Sequence, residues 1–176
     1  PQPLEMATYL MAMYNAHSTP NASATFASQS LYEKGLITYP RTDSKRISSK
    51  EFIESTSKYI KQNYGVETLN GVPIVKTKKG TQDAHEAIRP VDINKTPSSI
   101  KGLKVNEKRA YTIIWSTTVK SFMIGGENKI INYIYKDVES FFTYKHSYPL
   151  VPGFRSVDGI EAIEEIEVKE IIKVKK

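Results

Sequence analysis

Apolar residues recur at helical spacing in four stretches of the first two-thirds of the chain, and at strand-like density in the last third. Leu4, Ala7, Leu10, Met11 and Tyr14 share one helical face behind Pro3, a residue tolerated at a helix start, and predict a helix over residues 4–16. Ser18-Thr19-Pro20-Asn21 interrupts the pattern. A second helix is predicted over 22–34, with Asn21 as its cap and Gly35 in the left-handed position just past its end. Residues 36–39 then read as a short strand stopped by Pro40. A third helix opens on a Ser48/Glu51 capping box, carries Phe52, Ile53, Thr56, Tyr59 and Ile60 on one face, and is followed by Gly65. A fourth starts after Asn106 and runs to Ile124, with Tyr111, Ile114, Trp115, Thr118 and Phe122 facing one way and Gly125-Gly126 ending it.

Between the third and fourth helices, residues 66–105 show no periodicity and include Pro73, Pro90 and Pro97. So long a connection without regular structure points to functional segments. Beyond Gly125 the composition shifts to Ile, Tyr and Phe. Residues 129–138, 141–144 and 167–174 read as strands, with turns near Pro149, Pro152-Gly153 and Asp158-Gly159. The expected class is therefore α+β, with a mainly helical domain over 1–124 and a strand segment over 125–176.

Charge follows the same division. Residues 1–124 hold 17 Lys/Arg and 10 Asp/Glu, a net +7, whereas 125–176 hold 8 and 9, a net −1. A basic helical part suits a polyanionic partner, although a solvated basic surface explains the charge equally well. There is no cysteine, hence no disulfide or thiolate metal site in this sequence, which is compatible with a reducing cytoplasm. No apolar run approaches the roughly 18 to 20 residues needed to span a bilayer, and the N-terminal residues lack a signal-peptide pattern, so neither membrane nor export is expected. The chain begins with Pro1, not Met, as an excised piece or a processed product would.

Candidate chemistry concentrates in two segments. In Gly35-Leu36-Ile37-Thr38-Tyr39-Pro40-Arg41-Thr42-Asp43-Ser44, Pro40 forces Tyr39 toward extended backbone, and Arg41, two residues on, falls on the same face of an extended chain. A guanidinium near a phenol favours its anion and matches phosphate oxygens with paired hydrogen bonds. Tyr39 and Arg41 thus form a candidate phosphoryl-transfer pair, nucleophile and phosphate clamp. Against this, the chain has 11 tyrosines, and a tyrosine in a strand ordinarily packs. The second segment, Gln82-Asp83-Ala84-His85-Glu86-Ala87-Ile88-Arg89-Pro90, follows the cluster Lys76, Lys78 and Lys79. His85 has the chemistry to donate to a phosphate or carry a proton. It lacks the second histidine of a zinc helix, and no glycine-rich phosphate loop occurs in the sequence.

The stretch from Leu31 through Tyr39 to Ser44 closely resembles the active-site signature of type IA DNA topoisomerases, and Ala84-His85-Glu86-Ala87-Ile88-Arg89-Pro90 resembles the second signature of that family. Both occur in the family's order. The likeness is close over about 3–124, looser beyond, and nearer topoisomerase I than III in wording. The resemblance implies that Tyr39 attacks a single-strand phosphodiester, becomes linked to a 5′ phosphate and leaves a free 3′ hydroxyl. Arg41 would stabilise the phosphate charge and His85 would contact it. Thr42, Asp43, Ser44 and Arg89, with Lys76, Lys78 and Lys79, complete the expected DNA- or phosphate-binding set, Thr42 and Asp43 by ordering the loop.

The resemblance further implies a winged-helix-like (CAP-like) tyrosine domain over 1–124, followed over 125–176 by strands of the arch that joins it to the rest of the enzyme. The expected partners are single-stranded DNA and the parent's remaining domains. A monomeric fragment in the cytoplasm, associated with the nucleoid, is expected. The family's Mg2+ is held by a Toprim acidic cluster, D-x-D plus a separate Glu, and no such set stands in this sequence, so an isolated fragment is expected to be inactive. Two other readings stay open on the residues. Tyrosine recombinases and type IB topoisomerases combine Tyr, Arg and His on a phosphate, but place the Arg and His before the Tyr. A non-catalytic single-strand-binding module would use Tyr39 only to stack on a base.

Overall fold

The computed structural model describes residues 1–74, 85–136 and 141–164. The chain separates into two compact units, Pro1–Ile124 and Gly125–Lys176. Its described content is α+β, four α-helices and one two-stranded antiparallel sheet.

In the first unit α1 is Met6–His17, α2 Asn21–Glu33, α3 Lys50–Tyr64 and α4 Val105–Ser121. α3 and α4 bury the faces their periodicity marks, whereas α1 turns the expected Ala7, Met11 and Tyr14 outward and buries Tyr9 and Met13 in their place. Tyr9 and Met13 of α1 are inaccessible, and the Tyr9 hydroxyl donates to the Ala24 carbonyl of α2 at 2.8 Å. Burial pushes that phenol well above its ordinary pKa. Ala24, Ala27, Ser28 and Leu31 make the buried stripe of α2. Their small side chains let α2 lie close to α4, which contributes Ala110, Tyr111, Ile114, Trp115, Thr118 and Val119. The two helices are also tied by charge. Glu107 of α4 is buried and accepts from Lys34 Nζ at 2.6 Å, from Ser30 Oγ at 2.7 Å and from the Lys104 amide at 2.9 Å. Burial alone would raise this carboxyl, but these donors outweigh it and lower its pKa to about 2. Phe52, Thr56 and Ile60 are the buried face of α3, and Tyr59 meets Trp115 edge to face at 5.6 Å.

Where the elements depart from expectation, the competing interaction is visible. The first helix begins at Met6 because Leu4 is drawn into a β-bridge with Ile88. Pro20, not Asn21, holds the cap position of α2 and has no amide proton to leave unpaired. No strand forms over 36–39; a single bridge, Ile37 to Pro90, takes its place. The cap of α3 is Ser49, whose hydroxyl accepts from the Phe52 amide at 3.3 Å; the cap lies one residue later than expected, and the Ser48/Glu51 box does not form. The fourth helix begins before Asn106, at Val105, where Glu107 caps the Lys104 amide.

The second unit is a hairpin of β1, Glu127–Lys136, and β2, Phe141–Val151, with Tyr133 opposite Tyr144. Tyr133 and Tyr144 pair across the strands, a contact that stabilises small sheets, and His146 and Tyr148 extend the run of rings along β2. The second strand continues well past residue 144 and through Pro149, where a turn was expected. A two-stranded sheet consists of edges, and an edge tolerates a missing amide donor. Past the strand, Arg155 donates to the Glu127 and Val151 carbonyls and to Asn128 Oδ1, closing the open end of the hairpin. The strand expected over 167–174 lies outside the described residues.

Candidate active site

Tyr39 lies on a short connection whose shape is set on both sides. Upstream, α2 ends at Glu33, Gly35 takes φ +66°, and its amide donates to the Tyr32 carbonyl at 2.8 Å. This left-handed residue reverses the chain, so the segment after α2 runs back beside the helix end. Downstream, Pro40 is buried and restrains Tyr39 from helical backbone.

The segment around Tyr39 is paired with the second signature residue by residue. The Thr38 amide donates to the Arg89 carbonyl at 2.9 Å, and the Arg89 amide returns a bond to Thr38 Oγ1 at 3.0 Å. Thr38 Oγ1 itself donates to the Ala87 carbonyl at 2.7 Å, and the Val91 amide donates to the Leu36 carbonyl at 3.0 Å. On its other side the second signature is held by Ile88 to Leu4 and by Ala87 to the Arg46 carbonyl, both at 2.8 Å. Two segments about fifty residues apart are thereby locked together, and Ala87 and Ile88 are fully buried beneath the connection.

The side chains above this framework fall into two groups. Tyr39 is 47% exposed, and its hydroxyl makes no hydrogen bond with a described residue. Its ring meets Tyr32 edge to face, centroids 5.4 Å apart and planes at 71°. Arg41 is exposed, forms no hydrogen bond or ion pair with a described residue, and borders a shallow pocket of about 580 Å3 floored by Met6, Ala7 and Leu10 of α1. His85 Nδ1 stands 3.8 Å from Asp43 Oδ1, which brings the imidazole of the second signature to the loop of the first. Tyr39 and Arg41 are thus exposed without a polar partner among the described residues, and the exposed His85 lies beside Asp43 of the same loop. The backbone carrying Arg41 is turned and not an extended strand, the Thr42 amide donating to the Pro40 carbonyl at 3.0 Å.

The second group is structural in its contacts. Thr42 is buried; its carbonyl accepts from the Met6 amide at 2.9 Å and its hydroxyl from the Ser44 amide at 3.0 Å. Ser44 Oγ accepts from the Arg46 amide at 3.2 Å. Arg89 is buried, with Cζ 4.1 Å above the Phe52 ring, Nε and Nη2 donating to Glu86 Oε2 at 3.1 and 2.6 Å, and Nη1 donating to the Pro90 carbonyl. Glu86 uses its other oxygen to accept from the Ser48 and Ser49 amides at 2.9 and 3.1 Å and from the Ser48 hydroxyl. Burial pushes the Glu86 carboxyl up, but the Ser48 and Arg89 donors more than reverse this and leave it below its usual value. Glu86 therefore joins the second signature to the start of α3. Glu86, Thr38 and Tyr32 lie within the sequence motifs, but nothing in the sequence settles their roles. For Glu86 the signal was a carboxylate three residues before an arginine, but its serine partners lie 37 and 38 residues upstream. Lys76, Lys78 and Lys79 lie outside the described residues. Among the described residues no three His, Asp or Glu side chains converge as a metal site.

The family model described as DNA topoisomerase matches residues 1–176, the full length of the chain. The chain belongs to that family. It is a type IA topoisomerase fragment: the DNA topoisomerase 1 of Mycoplasma pneumoniae is 45% identical over 112 residues, which cover 56% of this chain and 16% of that protein. DNA topoisomerase 1 of Fervidobacterium islandicum is 36% identical over 132 residues, 71% of this chain and 19% of that protein. The solved structure of full-length topoisomerase I from Thermotoga maritima matches 97% of this chain with a TM-score of 0.75 and 26% identity, and the match covers 29% of that chain. The topoisomerase fragment thus spans under a third of the length of each of these relatives.

Proposed function

We propose that the fragment is the tyrosine-bearing part of an enzyme that cuts and rejoins one DNA strand. The Tyr39 oxygen attacks a backbone phosphorus, the sugar 3′ oxygen leaves and takes a proton, and the phenol proton passes to solvent or a neighbouring base. The product is a 5′-phosphotyrosine and a free 3′ hydroxyl. The reverse attack reseals the strand, and because the phosphoester bond is exchanged and not hydrolysed, no ATP is consumed. Arg41 takes the phosphate charge and His85 donates to the same group, a preorganised electrostatic role. The reading rests on one observation above all: a half-exposed phenol with an unbonded hydroxyl sits where the two signatures are hydrogen-bonded together.

In the same reading the helical unit is the mobile, winged-helix-like domain, its basic surface faces DNA, and the hairpin after Gly125 belongs to the arch. Thr42 and Ser44 hold the loop, Asp43 faces His85, and Arg89 supports the site from beneath while its guanidinium stays with Glu86. The described residues offer no donor set that fits Mg2+, so no step is assigned to a metal on this chain. The parent's Toprim residues would hold it.

The test uses the full-length parent and a single-stranded oligonucleotide labelled at either end. After denaturation the 3′-end label should stay on the protein and the 5′-end label should be released. Retention of the 5′-end label would mean a 3′-phosphotyrosine and would overturn the assignment. The isolated 176-residue chain should bind single strands in a salt-sensitive manner without cleaving them. Mg2+-dependent relaxation by that chain alone would refute the division of labour.

A further inference from the structure

We infer that Tyr32 is a positioning residue for Tyr39, fixing the ring of the nucleophile by an edge-to-face contact. The inference rests on the proposed function above and adds to it a residue outside the phosphate-contacting set. The backbone at Tyr39 is held from beneath by the bonds of Thr38 to Ala87 and Arg89, and from the C-terminal side by buried Pro40. None of these bonds restrains the two side-chain torsions of Tyr39, which is 47% exposed and has no hydrogen bond at its hydroxyl among the described residues. A phenol free to swing on solvent spends little time in line with a phosphate. Among the described residues the aromatic contact of this ring is Tyr32, at 5.4 Å and 71°.

Tyr32 is itself well placed to stay still. It stands in the last turn of α2 beside fully buried Leu31, and its carbonyl accepts from the Gly35 amide. The Lys34 ammonium two residues on ties that end of the helix to Glu107. Yet Tyr32 remains 41% exposed, so burial gives little reason for an aromatic residue at this position. Its ring contributes where it touches Tyr39. Edge-to-face pairing depends on a flat ring and not on the hydroxyl, so phenylalanine should serve as well as tyrosine.

The experiment measures single-turnover covalent capture of a single-stranded oligonucleotide by the full-length parent, alongside its equilibrium affinity for the same strand. Tyr32→Leu should slow capture at saturating DNA roughly two- to tenfold, the factor to which the strength of one such ring pair corresponds, with affinity unchanged. Tyr32→Phe should restore the parental rate. Tyr39→Phe, run in parallel, should give no capture. Capture by Tyr39→Phe would sink the proposed function itself. With Tyr39→Phe inactive, the Tyr32 inference alone fails if Tyr32→Leu captures at the parental rate. It fails equally if Tyr32→Leu loses affinity without slowing at saturation, or if Tyr32→Phe is as slow as Tyr32→Leu.

Discussion

Removing the Glu86 carboxylate by Glu86→Ala should destabilise the helical unit by about 3 kcal/mol, chiefly by stranding Arg89. That guanidinium has only 9% of its side chain exposed, and Glu86 takes two of its three protein hydrogen bonds. Leaving one member of a buried ion pair without its partner costs about 3–5 kcal/mol, and the 22% exposure of Glu86 places this case at the lower end. The same substitution frees the Ser48 and Ser49 amides at the start of α3, a cap-like loss of about 1 kcal/mol that water partly offsets. Against the roughly 5–15 kcal/mol that holds an ordinary domain together, this is a large share, and it should lower the melting temperature by on the order of 10 °C. Trp115, the one tryptophan of the chain and buried in this unit, reports the transition by fluorescence during urea unfolding. The decisive comparison is Glu86→Leu with Arg89→Met. Removing both charges leaves no stranded group, so the pair should recover at least half of the loss caused by Glu86→Ala. A loss below about 1 kcal/mol for Glu86→Ala, or a double variant as unstable as the two single changes summed, would refute the clamp.

Three further outcomes follow from particular contacts. Glu107 has a lower pKa folded than unfolded, so its contribution is complete at neutral pH and drains away as the pH falls from about 4.5 toward about 2; Glu107→Gln should flatten the stability profile across that window, measured by urea unfolding at stepped pH. Thr56 Oγ1 is buried with no hydrogen-bond partner among the described residues, so Thr56→Val should leave the unfolding free energy unchanged or raise it by up to about 1 kcal/mol, and a marked loss would reveal a partner for the hydroxyl. Gly153 has φ +53°, and a Cβ there would lie 2.3 Å from the Gly125 carbonyl oxygen, so Gly153→Ala should destabilise the hairpin unit, read as faster amide exchange across β1 and β2.

The third and fourth helices are legible in the sequence because their buried stripes are periodic: Phe52, Thr56 and Ile60, or Tyr111, Ile114, Trp115 and Thr118, sit inside where the pattern marks them, whereas α1 turns the marked Met11 and Tyr14 outward and buries Tyr9 and Met13. What escaped were short contacts made across sequence distance. The apolar run at 36–39 suggests a strand, but with one bridging partner at Pro90 it becomes a connection. Nothing local in Ser48-Ser49 announces that Glu86 caps their amides, so the local pattern starts α3 one residue early. Pro149 signals a turn when read locally, yet an edge strand has no need of its amide. At the candidate site the two signatures pointed to Tyr39, Arg41 and His85 as residues to watch. The sequence could not say that Arg89 turns inward to Glu86 while Arg41 stays open, because the two arginines differ only in what packs around them.

The most direct test is to locate the covalent bond. Trypsin should release residues 35–41 as one peptide, bounded by Lys34 and Arg41, and this peptide contains a single tyrosine, Tyr39. After capture of an oligonucleotide by the full-length parent and nuclease trimming, mass spectrometry should find the nucleotide remnant on that peptide. A remnant on any other peptide, including the one that ends at Lys34 and carries Tyr32, would contradict the account.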